Sequence, residues 1–205
     1  MFLQKYLFFP IKNYIFLLKI ANLKSLFVEY KPFLTFLIKF LLFYVVFAFI
    51  YKSYLSQFDI SRNEIDSISI CVAEQSEFLL NSLGHDVEII KNDTDSSLKI
   101  LYKGKYVSRM IEGCNAISVI ILFAAFIFAF SVKIKRTMLY IFIGAIIIHV
   151  LNVVRIALLT YALYFYPKYE EILHGTVFPL FIYGVVFLLW VLWVTKFSGY
   201  GKKTV

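Results

Sequence analysis

Three side chains in this sequence are of the types that acyl-transfer chemistry uses, and their spacing sets them at a common depth. Cys114 stands in "EGCNAIS", Arg155 in "NVVRI" and His174 in "HG", each at or near the end of a long apolar run. Cys114 lies eighteen residues before Val132, where one apolar run ends, and Arg155 lies eighteen residues after Thr137, where the next begins. At a helical rise of about 1.5 Å per residue, both stand roughly 27 Å from the connector between the two runs. His174 is twenty-one residues before Thr195, near the end of the last run, which puts it within about one helical turn of the same level.

Each residue type has a chemical task at such a place. A thiol at a helix N-terminus near a cation is acidified and becomes a better nucleophile. His174 opens the last run, where the helix dipole disfavours imidazolium and leaves a base free to take the thiol proton. Arg155 is costly within a span, should face the interior of the helix bundle, and can stabilise the oxyanion of a tetrahedral intermediate. Together they fit acyl transfer through a thioester. Each also has a plainer reading: a cysteine that packs as a small apolar residue, an arginine held by a structural ion pair, a histidine that caps a helix or anchors an interface. The shared depth of all three is what favours the catalytic reading.

Neighbouring residues have weaker claims. Asn152, three before Arg155 and close to its helical face, can hydrogen-bond the guanidinium or a substrate backbone, or equally bridge two spans. His149 lies further round the same helix and suits an interhelical contact, while His85 lies beside a turn and carries no assigned chemistry. A Cys71–Cys114 disulfide would lock the proposed nucleophile away and is not expected. No His or Cys pair has metal-ligand spacing and no glycine-rich phosphate or dinucleotide loop occurs, so no cofactor or metal is expected.

The elements that must position these residues are membrane helices. The 205 residues are 61% hydrophobic and 20% aromatic, with 17% charged and a mean hydropathy of +0.79, which excludes an ordinary soluble domain. Four windows, about 33 to 51, 115 to 132, 137 to 165 and 175 to 195, approach the ~20 apolar residues of a membrane span. The third is long enough to tilt or to extend beyond the lipid.

Charge orients them. Lysines 5, 12, 19, 24 and 31 precede the first run, Lys133, Lys135 and Arg136 follow the second, and Lys196, Lys202 and Lys203 close the chain. Ten of the thirteen acidic residues lie between the first two runs, and Glu170 and Glu171 sit between the last two. The positive-inside rule then places both termini in the cytoplasm and the Cys-Arg-His level at the outer leaflet. The net charge of +8 follows from this topology, and the scattered lysines do not favour nucleic-acid binding.

The remaining segments complete the expected architecture. Lysines at 5, 12 and 19 repeat at a heptad spacing and predict an interfacial amphipathic helix, not a cleaved signal peptide. In the soluble-type stretch, Ser61–Glu64 has capping-box spacing before a helix that Gly84 stops, and "HDVEII", "LKILYK" and "KYVSRM" predict short strands. The expectation is an all-α polytopic membrane protein: a bundle of four transmembrane helices with an N-terminal interfacial helix and a small α/β cap on the outer face. Its divisions are 1–32 interfacial, 33–52 first span, 53–113 cap, 114–196 catalytic spans, and 197–205 cytoplasmic tail.

From about Cys71 to Trp193 the pattern resembles the exosortase/archaeosortase family, closest to the short exosortase F type. It consists of an outer helix ending in "LG", a strand pair, "EGCNAIS", "NVVRI" and "HG". The resemblance implies a polytopic cysteine transpeptidase of the bacterial inner membrane that cleaves C-terminal sorting signals of exported proteins and joins the new C-terminus to an envelope acceptor. It implies Cys114 as nucleophile, Arg155 as oxyanion stabiliser and His174 as acid/base, with no cofactor. Partners would be exported proteins with a C-terminal transmembrane tail, the acceptor, and membrane lipid. Many exosortases have about twice as many spans, so partner membrane subunits are a further expectation. Asn115-Ala116 stands where many relatives have Ser-Gly or a similar small pair, so Asn115 is a supporting candidate in a turn of its own kind. Outside this class, the competing reading is a non-catalytic membrane scaffold or export-complex subunit. Within it, the competitor is a protease that hydrolyses the thioester.

Overall fold

The computed structural model describes residues 28–59, 62–131 and 133–198. The expected interfacial helix up to residue 27, Ser61, Val132 and the tail from 199 lie outside them. Helix α1, Lys31–Leu55, is a run of Phe, Leu, Ile and Val. Pro32 stands in its first turn, where a missing N–H breaks no intrahelical bond. None of its residues is buried. It meets the rest of the chain through an aromatic seam: Phe36 lies 4.5 Å from Phe130, and Phe43 lies 4.9 Å from Phe128, between ring centroids.

Helix α2, Ser67–Ser82, begins later than the Ser61–Glu64 spacing predicts. Its N-cap is Asp66, whose carboxylate accepts the Ser69 N–H at 2.9 Å. Glu64 accepts the Asp59 N–H at 2.8 Å and so closes a turn before the helix. A free N–H two to three residues on is what a cap needs, and Asp66 is the acceptor that has one. Gly84, at φ +83°, ends the segment as expected.

Three antiparallel strands follow in the order β1 (Val87–Lys91), β2 (Leu98–Tyr102) and β3 (Lys105–Met110). Lys103 and Gly104 both have positive φ (51° and 72°), the geometry of a two-residue hairpin turn whose twist matches the strands. The β2–β3 register shifts between Ile100 and Leu101, leaving Val107 as a bulge. β3 is an edge strand.

The chain then makes a 3₁₀ turn, Glu112–Asn115, and enters α3, Ile117–Ala129. Helix α4, Ile134–Phe165, and helix α5, Pro167–Phe197, complete the molecule. Helices α1, α4 and α5, of 25, 32 and 31 residues with mean hydropathies of 2.5, 2.3 and 2.4, are long and apolar enough to cross a membrane. Helix α3 is apolar but has 13 residues. That is a rise of about 20 Å, against roughly 30 Å of hydrocarbon. Among the described residues three helices thus have spanning length, and the second window holds the shorter α3, bounded by Ala116 in left-handed conformation before it and Phe130 after it.

Two cores hold the elements together. One joins α2 and the sheet to the C-terminal half of α4 through Val72, Leu80, Ile100, Tyr102, Val153 and Ile156. The soluble-type segment thus lies along α4, where the Gln75 and His149 side chains are 2.7 Å apart, instead of merely covering its end. The other packs Phe123 and Ile127 of α3 against Ile148 of α4 and Val186 and Trp193 of α5. Gly144 makes this crossing possible, since a Cβ there would run into the ring of Phe123. Tyr140 fastens α4 to α5 by donating to the Leu189 carbonyl at 2.7 Å.

Candidate active site

The end of β3 and the turn after it set Cys114 in place. From Met110, buried in the first core, the chain passes through extended Ile111 into the 3₁₀ turn, where the Cys114 N–H donates to the Ile111 carbonyl at 2.9 Å. Ala116 at φ +62° then turns the chain into α3. Asn115 secures this junction. Its Oδ1 accepts the Ile117 N–H at 3.0 Å, and its Nδ2 donates to the hydroxyls of Tyr51 on α1 at 2.8 Å and Ser69 on α2 at 3.1 Å. Asn115 is therefore a tie between elements and does not line the cavity described next.

Cys114, Arg155 and His174 line one cavity of about 310 Å³. Its floor and one wall are the α4 residues Ile156, Leu159, Thr160 and Leu163, a second wall is β3 with Ile100 behind it, and α5 contributes Glu170 beside His174. The common level inferred from residue counting is seen as a direct bond: Asn152 Nδ2 donates to the Cys114 carbonyl at 2.8 Å. The Oδ1 of the same side chain accepts from Arg155 Nη1 at 3.3 Å. Asn152 is fully buried and bridges the Cys114 turn and the guanidinium, which joins the two roles that the sequence leaves open for it.

Arg155 Nε is buried and has no hydrogen-bond partner, and among the described residues no carboxylate pairs with the guanidinium. A partly buried cation whose Nε is buried without a partner is electrostatically costly. It is suited to receive a negatively charged oxygen that enters the cavity.

Two local placements differ from the sequence expectation. Cys114 is in the 3₁₀ turn three residues before α3, and His174 is not at a helix N-terminus. Helix α5 begins at Pro167, so its first turn is filled by Lys168, Tyr169 and Glu170, and His174 falls in a π-helical turn, Leu173–Val177. The dipole argument for a neutral imidazole therefore does not apply. Such widenings are frequent at functional sites, and α5 has a second one at Trp193–Phe197, away from the cavity. Glu170 is the residue that counting by depth passes over, although it stands one turn before His174 at i, i+4 spacing. Arg109 at the cavity lip is held by Asp95 at 2.9 Å. The Asp95 carboxyl lies below its usual range through hydrogen bonding from Ser97, with help from Asn92 and Arg109. Both cysteines are free, and Cys71 is exposed on α2.

No curated protein and no solved structure gives a significant match to the chain. A family model described as transmembrane exosortase (Exosortase_EpsH) matches residues 12–195, a stretch that contains every wall of the cavity. With that match over most of its length and with its apolar helices, this multi-pass membrane protein belongs to the transmembrane exosortase family.

Proposed function

We propose that the chain is a membrane-embedded cysteine transpeptidase that cleaves C-terminal sorting signals of exported proteins and transfers them to an envelope acceptor. The observation that carries the reading is the single cavity shared by Cys114, Arg155 and His174, which come from three separate segments. His174 takes the thiol proton, and the Cys114 thiolate attacks the scissile carbonyl. Arg155 stabilises the oxyanion with donors that have no protein carboxylate to satisfy them. Collapse of the intermediate expels the amine of the C-terminal tail, which takes its proton from His174, and leaves a thioester on Cys114. A nucleophile on the acceptor attacks the thioester and frees the thiol.

The positive-inside distribution supports an inner-membrane placement with both ends cytoplasmic and the cavity at the outer leaflet. A substrate's tail then stays in lipid while its scissile bond reaches Cys114 from the side. The motif pattern from Cys71 to Trp193 supports the short exosortase F type within the family.

The test is alkylation of Cys114 by iodoacetamide in the purified full chain across pH, in a Cys71→Ser background, followed by intact mass. The expected result is rapid reaction near neutral pH that slows about tenfold or more in His174→Ala, equivalent to at least ~1.4 kcal/mol of lost activation. Equal rates with and without the imidazole would remove the catalytic reading and leave Cys114 as a packing residue. In cells, Cys114→Ala should accumulate full-length substrate that still carries its tail.

A further inference from the structure

The wall formed by β3 is unlike the others. Ser108, Arg109 and Met110 at the end of β3, and Ile111 just after it, line the cavity in unbroken succession. Side chains of a strand alternate between its two faces, so one face can show only every second residue. Met110 is buried toward α4, whereas the Arg109 guanidinium is taken up by Asp95 and is largely exposed. A continuous run of lining residues therefore means that the strand offers its edge, with main-chain groups toward the cavity. The sheet order β1-β2-β3 leaves that edge without a neighbour among the described strands. The bulge at Val107 confines regular geometry to the stretch after it, from Ser108 to Met110.

We propose that β3 receives the substrate by strand addition: the residues just before the scissile bond pair in extended form with the Ser108–Met110 edge, which delivers their carbonyl to Cys114. This rests on the transpeptidase reading and names how its substrate is held. The occupant is set by continuity. β3 ends at Met110, four residues before Cys114, and both line the same space. The cavity runs from Cys114 past Ile156 toward Leu163, along the C-terminal half of α4 and beside β3. A chain that enters at the far end and finishes at Cys114 runs in the same direction as β3, so the pairing is parallel. Main-chain pairing gives affinity for any extended segment, while the alternate side chains meet Ile100 and Ile156 on one side and the open lip at Tyr106 on the other. A parallel partner bonds through every second residue, and that alternation is the signature to measure.

The probe is acetyl-trialanyl chloromethyl ketone, whose chloromethyl carbon alkylates the Cys114 thiolate as the C–Cl bond breaks and chloride leaves. It is compared with chloroacetone and with versions N-methylated at the second or the third residue from the ketone. The full chain in detergent is used with Cys71→Ser, and each rate is normalised to that with glutathione. The expected result is a peptide ketone that reacts at least tenfold faster than chloroacetone, one N-methyl position that loses about tenfold, and an adjacent one that changes less than twofold. Loss of similar size at both positions, no loss at either, or a peptide no faster than chloroacetone overturns strand addition. Iodoacetamide on the same samples separates the two readings. A thiol activated by His174 together with a flat N-methyl pattern removes strand addition alone, and a thiol indifferent to His174 removes both.

Discussion

Asn152 uses one amide for two tasks, donating to the Cys114 carbonyl and accepting from Arg155, with no exposure to solvent. Asn152→Ala leaves a carbonyl and a guanidinium donor unsatisfied in a buried place, at a cost of about 1–3 kcal/mol. Asn152→Asp keeps the acceptor but adds a charge that pairs with Arg155 and so competes with a developing oxyanion. The alanine change should therefore lower both thermal stability and processing rate. The aspartate change should leave the protein folded while cutting processing by about tenfold or more, measured as product per unit of folded enzyme. An aspartate variant with undiminished processing would mean that Arg155 does not face the reacting carbonyl.

Two junctions decide whether the elements meet correctly. Ala116 pays the strain of a left-handed residue at φ +62° between the 3₁₀ turn and α3. A side chain in that conformation costs about 1–2 kcal/mol, offset in part by the greater entropy that glycine loses on folding. Ala116→Gly should stabilise the protein by about 1 kcal/mol, read as a raised Tm in detergent with Cys114 still reactive. Gly144→Ala should act in the opposite sense, because its methyl group enters the space of the fully buried Phe123 ring. Overpacking of this kind costs about 1–3 kcal/mol, and Phe123→Leu in the same chain should recover part of it as a measurable coupling.

At the scale of the whole molecule the question is which side of the membrane each connector faces. Single cysteines placed at Lys135 and at Lys168, in a Cys71→Ser, Cys114→Ala background, report this directly. A membrane-impermeant maleimide applied to intact cells should label the site at Lys168 and leave the one at Lys135 unlabelled. The reverse pattern would turn the cavity toward the cytoplasm and separate it from exported substrates. The packing of α4 matters here too: a helix of 32 residues reaches about 48 Å, and one side of its C-terminal half is packed against α2 and the sheet.

The sequence by itself determined the membrane character, the three strands, the stop at Gly84 and the common level of Cys114 and Arg155. These are local or additive properties: hydropathy over a window, alternation, a glycine at a turn, and a constant rise per residue. Its reading of His174 as the opening of a helix did not hold, and its second window holds a helix of 13 residues, shorter than a full span. Helix ends are set by which neighbour satisfies the first N–H groups, and that neighbour here is Asn115 for α3, while Pro167 starts α5 well before the histidine. Only the tertiary structure decided that Asn152 bridges Cys114 to Arg155, that Asn115 ties three elements, and that Glu170 and the edge of β3 share the cavity. Those are contacts between segments far apart in the chain, and they exist only once α2, the sheet and α4 have buried one common core.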